Sequence, residues 1–400
     1  MDVVELGPGR GTLIRDALKV WKNDTFAQFY QSIKSVNLIE RSAQLRDKQC
    51  DTLGAERDDS SYQMAETKSA NGNDVAVESE EEIMKREMED AKLMLGARLD
   101  NDLGVVKKPL DADSHPDLEQ TVPQSASTAT SSVDFLTSAK LDSKIPVRWH
   151  HTFPEMESSF PTDHTTFVIC QELLDALPIH VFEYTKKGWR EKLVDINDSK
   201  DGLSIVLSKG VTVACRGLLG EWIEEDGKKS KKKNSPEVGT VVEVSPESLT
   251  VSLDIATRIN RNGGAAVIVD YGSANYCGGE TLRGFLSHNE VSILERPGET
   301  DVTGDVDFRR IVETIGREKA LDSVTVDPVC KQGEWLMRMG IGERASLLIE
   351  DDNVSEEQAN DIYSGFERLV GGSEVENGMG EVYKVLTLRG RTLRGRNSEK

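Results

Sequence analysis

Short apolar runs alternate with stretches of helical period along most of the chain. DVVEL (2–6) is a buried-type run, so a strand is predicted there, followed by a helix over 11–22 and a second over 25–34. VNLIE (36–40) repeats the strand pattern. After a long polar interval, IPVRW (145–149) and TTFVICQ (165–171) read as strands, and IHVFEYTKKGWREKLVDI (179–196) as two strands about a Lys-Lys-Gly turn, with LSIVLS (203–208) as a third. SPESLTVSLDIATRIN (245–260) is a helix with Ser245 as N-cap, Pro246 in the first helical position and Glu247 at the positive dipole end. GGAAVIVDYG (263–272) is a strand, DVDFRRIVETIGRE (305–318) a helix and GEVYKVLTLRG (380–390) a last strand. Alternating helices and buried runs predict an α/β doubly wound sheet, mostly parallel, with an antiparallel excursion near 179–208.

Residues 54–143 break the pattern. They are rich in Ser, Asp, Glu, Asn and Ala and carry 20 acidic against 9 basic residues, about half of the chain's formal charge of -21. Such a stretch buries too little apolar surface to offset chain entropy, so a disordered acidic insertion is expected. It separates a first part of the domain (1–53) from the remainder (144–390), with a short tail at 391–400. Within it, 81–99 has helical period, with Met84, Met88, Ala91 and Leu95 on one face, either a partner-binding or a solvated helix. The basic run at 228–234 reads as an exposed loop.

Composition narrows the function classes. With 37% hydrophobic and 30% charged residues and no long apolar run, no membrane span is expected. The strong negative charge argues against broad nucleic-acid backbone binding and favours basic partners. Five scattered cysteines with no CxxC pair point to a reducing compartment and no disulfide framework. No targeting peptide is visible, and the chain starts almost inside its first strand, so a truncated or misassigned start is expected.

The candidate chemistry gathers at strand ends, where open parallel sheets bind ligands. Glu5 ends the first strand, and Gly7, Gly9 and Gly11 alternate after it. A glycine turn there can serve geometry alone, or it can bring backbone amides up to a ligand. A dinucleotide fingerprint would need glycine at position 12, which is Thr12, so a nicotinamide-dependent oxidoreductase is disfavoured. E-x-G-x-G-x-G is instead the pattern typical of S-adenosylmethionine (SAM) sites. Glu5 can attract the SAM ammonium, while the loop (Gly7, Pro8, Gly9, Gly11) and the Thr12 hydroxyl can take its carboxylate. Glu40 at the end of the second strand fits a ribose clamp. Gln171, Glu172, Asp175, Asp270 and Tyr271 lie at two further strand ends, where a helix cap or loop solvator is the competing role for each carboxylate.

ELGPGRGTL, QELLDALPIHVFEYTKKGWREKLVDI, VEVSPES, GGAAVIVDYG, TLRGF with His288, and PGETDVTGDVDF occur in that order. Together they resemble the MidA-like family, mitochondrial protein arginine methyltransferases that act as respiratory complex I assembly factors, with bacterial relatives. The resemblance covers 1–50 and 145–390. It implies a class I SAM-dependent methyltransferase fold, SAM as cofactor, a matrix location, and methylation of an arginine on a matrix-arm subunit of complex I; a homodimer is compatible with it. Family members usually carry a substantial segment before the glycine loop, and Asn-Glu or His-Glu where Gln171-Glu172 stands here. Glu172 and Asp175, three apart, are the candidates to hold and polarise a guanidinium from the first turn of a helix. Gln171 falls to the cofactor side, and His288 is a candidate proton acceptor or substrate contact. The competing reading is a non-catalytic assembly scaffold on a SAM-binding fold.

Overall fold

A computed structural model describes residues 1–57, 62–64, 134–142, 144–197, 202–220, 236–275, 279–287, 289–372, 374–375 and 378–390. The 81–99 period, the basic run at 228–234, Cys277, His288 and the 391–400 tail lie outside them.

Eight strands form the continuous path of the main sheet: β1 (Asp2–Leu6), β2 (Ser35–Ile39), β3 (Ser138–Leu141), β4 (Ile145–His150), β5 (Thr166–Gln171), β6 (Gly264–Ser273), β7 (Val324–Val326) and β8 (Tyr383–Gly390). Their spatial order is β7-β8-β6-β5-β1-β2-β4-β3. The five central strands run parallel, whereas β3, β7 and β8 pair antiparallel to their neighbours. The short strands Val306–Asp307 and Cys330–Lys331 add to β6 and β8.

The chain winds outward from β1 in both directions, so the switch in strand order falls between β1 and β5. The loops after those two strands diverge around a crevice, which is where such sheets take a ligand.

Both faces of the sheet are covered. On one, Val3, Val36, Leu38, Val147 and Trp149 pack with Ile14 and Leu18 of α1 (Thr12–Trp21) and with Cys50 of α2 (Ala43–Leu53). On the other, Val4, Val168, Ile268 and Leu386 meet Ile255 and Ile259 of α3 (Pro246–Asn262) and Phe308, Ile311 and Ile315 of α4 (Phe308–Arg317). Successive side chains on β1, Val3 and Val4, therefore split between two cores, while Val4 and Leu6, two apart, share one, as the period of a strand requires. Each fully buried aliphatic or aromatic side chain contributes roughly 1.5–3 kcal/mol. Ser245 caps α3 through its Oγ, which accepts from the Ser248 amide at 3.3 Å.

Residues 138–141 fall within the stretch expected to be a disordered insertion, yet β3 is the edge strand of the main sheet, and Leu136, Ala139 and Leu141 are buried. Three small or apolar residues two or three apart suffice when β4 supplies the ladder. The antiparallel excursion is a separate sheet in the order 203–207, 188–196, 180–185, 241–244; its last strand, Val241–Val244, was not anticipated. A three-stranded sheet over 283–303 and helices at Gln332–Arg338, Ile341–Ile349 and Glu356–Val370 were not anticipated either. The last two helices bury no residue fully. Among the described residues no helix is long and apolar enough to cross a membrane.

Candidate active site

The glycine loop leaves β1 at the crevice. Gly7, Gly9 and Gly11 all have positive φ (60°, 53° and 77°), a region that costs any residue with a Cβ. A Cβ on Gly7 would also stand 2.9 Å from Leu173 Cδ1, so the loop is packed against the turn that follows β5. Buried Pro8 closes the turn, its carbonyl accepting from the Gly11 amide at 2.7 Å. Gly11 is the N-cap of α1 and brings no side chain to it, while Thr12 is exposed in the first helical position. The first amides of α1 thus face the crevice without an internal partner, a fit for a carboxylate.

Glu5 is 3% exposed, and its Oε2 has no hydrogen-bond partner. Burial alone pushes its pKa up to about 7. An unpaired carboxylate in that position is costly by itself and is repaid by a cation. The ammonium of SAM is such a cation, and its carboxylate would reach the α1 amides, so the residues present fit the cofactor.

Glu40 directly follows β2 and is half-buried. Its Oε1 accepts from the Ser42 amide (2.9 Å) and its Oε2 from Gln49 Nε2 (3.0 Å). Each oxygen keeps a lone pair, enough for the two hydroxyls of a ribose. The Arg46 guanidinium holds the Glu40 carbonyl from behind, at 2.9 and 2.6 Å.

The turn after β5 carries the remaining candidates. Gln171 ends the strand half-buried, and its Nε2 reaches Glu172 Oε1 at 3.2 Å. Glu172 is exposed with φ 49°, a left-handed conformation rare for a residue with a Cβ. Its own amide bonds Val269 O at 3.0 Å. The next three amides, of Leu173, Leu174 and Asp175, all point to Asp270 Oδ2 at 3.2, 2.9 and 3.4 Å. Asp270, fully buried at the end of β6, thereby takes the capping role. Glu172 and Asp175 do not share one face of a helical turn: Glu172 precedes a short 3-10 turn (Leu174–Ala176), and Asp175 is buried within it.

Asp175 Oδ1 has no hydrogen-bond partner, and the nearby Tyr271 hydroxyl favours the ionised Asp175 carboxylate against the larger effect of burial. Burial raises the pKa of both Asp175 and Asp270; the charge of Glu172 adds to it at Asp175, and the charge of Asp175 adds to it at Asp270. Tyr271 and Tyr383, opposite each other on β6 and β8, pack edge to face at 5.4 Å between ring centroids. The negative charge of Glu172 helps hold the Tyr383 hydroxyl protonated, after burial as the main cause. The rim therefore combines an exposed carboxylate, a buried one with a free oxygen, and two aromatic rings.

Comparison with known proteins decides the class. A family profile for S-adenosyl-L-methionine-dependent methyltransferases matches residues 1–326. The chain belongs to this family. It is similar to the Xenopus tropicalis protein arginine methyltransferase NDUFAF7, mitochondrial, with 29% identity over 88% of this chain and 60% of that protein. The protein of the same name from Danio rerio is 34% identical over 53% of this chain and 44% of its own length. The human one is 27% identical over 88% and 58%. The chain thus spans about 60% of the first of these relatives. A Burkholderia thailandensis protein crystallised with S-adenosyl-homocysteine shares the fold with a TM-score of 0.58 and 18% identity, covering 97% of this chain and 71% of that one.

The methyltransferase fold brings Glu5, Gly7, Pro8, Gly9, Gly11, Thr12 and Glu40 around one crevice, linked by the Gly7 amide to Ile39 O (3.1 Å) and by Gln49. Gln171 bonds Glu172 and makes no hydrogen bond to the loop among the described residues. The Cys170 thiol is buried and its pKa is raised by that burial, so it is no nucleophile. Gln49 and Tyr383 escaped the sequence pattern. Gln49 had one available signal, a polar residue beside Cys50 on the inward face of α2.

Proposed function

We propose that this chain is a SAM-dependent protein arginine methyltransferase, with Glu172 as the residue that binds and polarises the acceptor guanidinium. The carrying observation is Glu172 itself. It is an exposed carboxylate in a left-handed conformation, fixed by the Val269 carbonyl and by the Asp270 cap on the residues after it. Such strain costs of order 1–3 kcal/mol and persists only where surrounding contacts over-determine it. Bound SAM supplies a sulfonium methyl group open to displacement. A protonated arginine is a poor nucleophile because its charge is delocalised. Glu172 would grip two of its nitrogens, localise the charge and leave the third aimed at the methyl group. Asp175, with a raised pKa and a free Oδ1, would accept the proton the attacking nitrogen gives up. Glu5, the loop, Thr12 and Glu40 hold the cofactor, with Gln171 bordering it.

The relatives' names support an arginine acceptor and a mitochondrial setting. With the MidA-like motifs they support a matrix-arm subunit of complex I as the acceptor protein, and a role in assembling that complex. The alternative, a scaffold that binds SAM without using it, is favoured by no contact in the site. Incubation with tritiated SAM and a candidate complex I subunit separates the two. Label should enter an arginine of the subunit. Glu172→Gln should lose at least a hundredfold in rate while still binding SAM; full activity in that variant would sink the assignment.

A further inference from the structure

The methionine half and the ribose half of the cofactor crevice are carried by different strands, and one side chain joins them. Gln49, on α2, is fully buried. Its Nε2 donates to the Gly9 carbonyl at 2.8 Å and to Glu40 Oε2 at 3.0 Å. Its Oε1 accepts from Trp149 Nε1, on β4, at 2.8 Å. An indole nitrogen is a donor only, so Trp149 fixes which end of the amide is oxygen and forces both amide hydrogens toward the loop and the carboxylate. The same residue also seats the end of the loop: a Cβ on Gly11 would lie 3.3 Å from Gln49 Cγ and 3.4 Å from Gln49 Cα.

We propose that Gln49 is a positioning residue for the cofactor. It aims the free lone pairs of Glu40 at the ribose hydroxyls and sets the spacing between that carboxylate and the glycine loop, with Trp149 fixing its orientation. This rests on Glu40 being the ribose clamp. Among the described residues, the Glu40 carboxylate accepts from the Ser42 amide and from Gln49 Nε2, and of these two Gln49 also bonds the loop. Methionine at position 49 keeps the volume but supplies neither hydrogen, and Glu40 is left free to swing on its Ser42 bond.

Calorimetry with S-adenosylhomocysteine and with its 2′,3′-dideoxy analogue tests the idea, because only the first offers the diol. The full chain should prefer the diol ligand. Gln49→Met should weaken S-adenosylhomocysteine about tenfold to a hundredfold, since one of the two lost bonds is to a charged acceptor. It should weaken the dideoxy analogue less than about threefold, so the preference collapses. Trp149→Phe, which leaves Glu40 and Gly9 untouched, should erode the preference in the same direction, and it decides the matter if Gln49→Met fails to fold. Equal loss for both ligands would make Gln49 merely structural and overturn the proposal. Glu40→Gln is the separate arm. If it leaves the diol preference intact, the ribose reading fails. If it abolishes the preference while Gln49→Met and Trp149→Phe do not, only the positioning role fails.

Discussion

Glu5→Gln gives the sharpest test of the cofactor site. The carboxylate is buried, one oxygen is unpartnered, and burial moves its pKa from 4.5 to about 7. At 1.36 kcal/mol per tenfold change, holding that charge inside the folded protein costs about 3 kcal/mol. The folded carboxyl keeps its proton to higher pH than the unfolded one, so between pH 4.5 and 7 the unfolded state binds fewer protons and stability falls as pH rises. Glutamine carries no such charge. The variant without ligand should therefore be more stable than the parent at pH 8, by up to about 3 kcal/mol, and equal to it near pH 4.5. Binding should move the opposite way. The ammonium of SAM needs the ionised carboxylate, so below pH 7 binding must expel a proton from Glu5. Affinity of the parent should fall by up to about tenfold per pH unit from 7 toward 5, while the variant, weaker at pH 7, stays nearly flat. Denaturant melts at several pH values measure the first effect, and calorimetry in buffers of different ionisation enthalpy measures the second. Parallel pH slopes in the two proteins, or a variant less stable at pH 8, would refute the placement of an unpaired carboxylate at the SAM ammonium.

Gly7→Ala should abolish detectable SAM binding by calorimetry. Its positive φ costs an alanine about 1–2 kcal/mol, and the new methyl would push Leu173, 2.9 Å away, and with it the Glu172 turn. Arg258→Met tests the opposite end of the sheet. There the buried guanidinium bridges Asp2 (3.3 Å), Thr166 (2.9 Å) and Glu157 (2.8 Å). Leaving Asp2 buried without its cation should cost about 3–5 kcal/mol in chemical denaturation. SAM affinity of the folded fraction should stay unchanged, because that end of the strands faces away from the crevice.

The parts of the site visible in the sequence are those that follow from strand direction. A carboxylate at the end of an apolar run has few places to go in a parallel sheet, so the positions of Glu5 and Glu40 were readable. The rest depends on partners distant in the chain. Gln49 matters through Trp149, a hundred residues later, and no local period marks that bond. Asp270 looks like a candidate acid by position, but its lone pairs go to amides nearly a hundred residues earlier. The same holds for β3, hidden in a polar stretch because its ladder comes from β4, with a bridge from Glu56 on the other side.

Several costly groups of the described chain lie at this crevice. Glu5 is unpaired, Glu172 is left-handed, and Asp175 and Asp270 repel each other across a buried gap. Each is unfavourable for folding, and in the proposed function each charge would be offset by a cation: an ammonium at Glu5, a guanidinium at Glu172 and Asp175. Two cation-demanding centres meet where Leu173 packs on Gly7, so the cofactor loop and the acceptor turn share one contact surface. A ligand that firms the loop therefore also firms the turn. SAM should then bind first and raise the affinity for the acceptor arginine, since ordering the loop removes part of the cost of ordering Glu172.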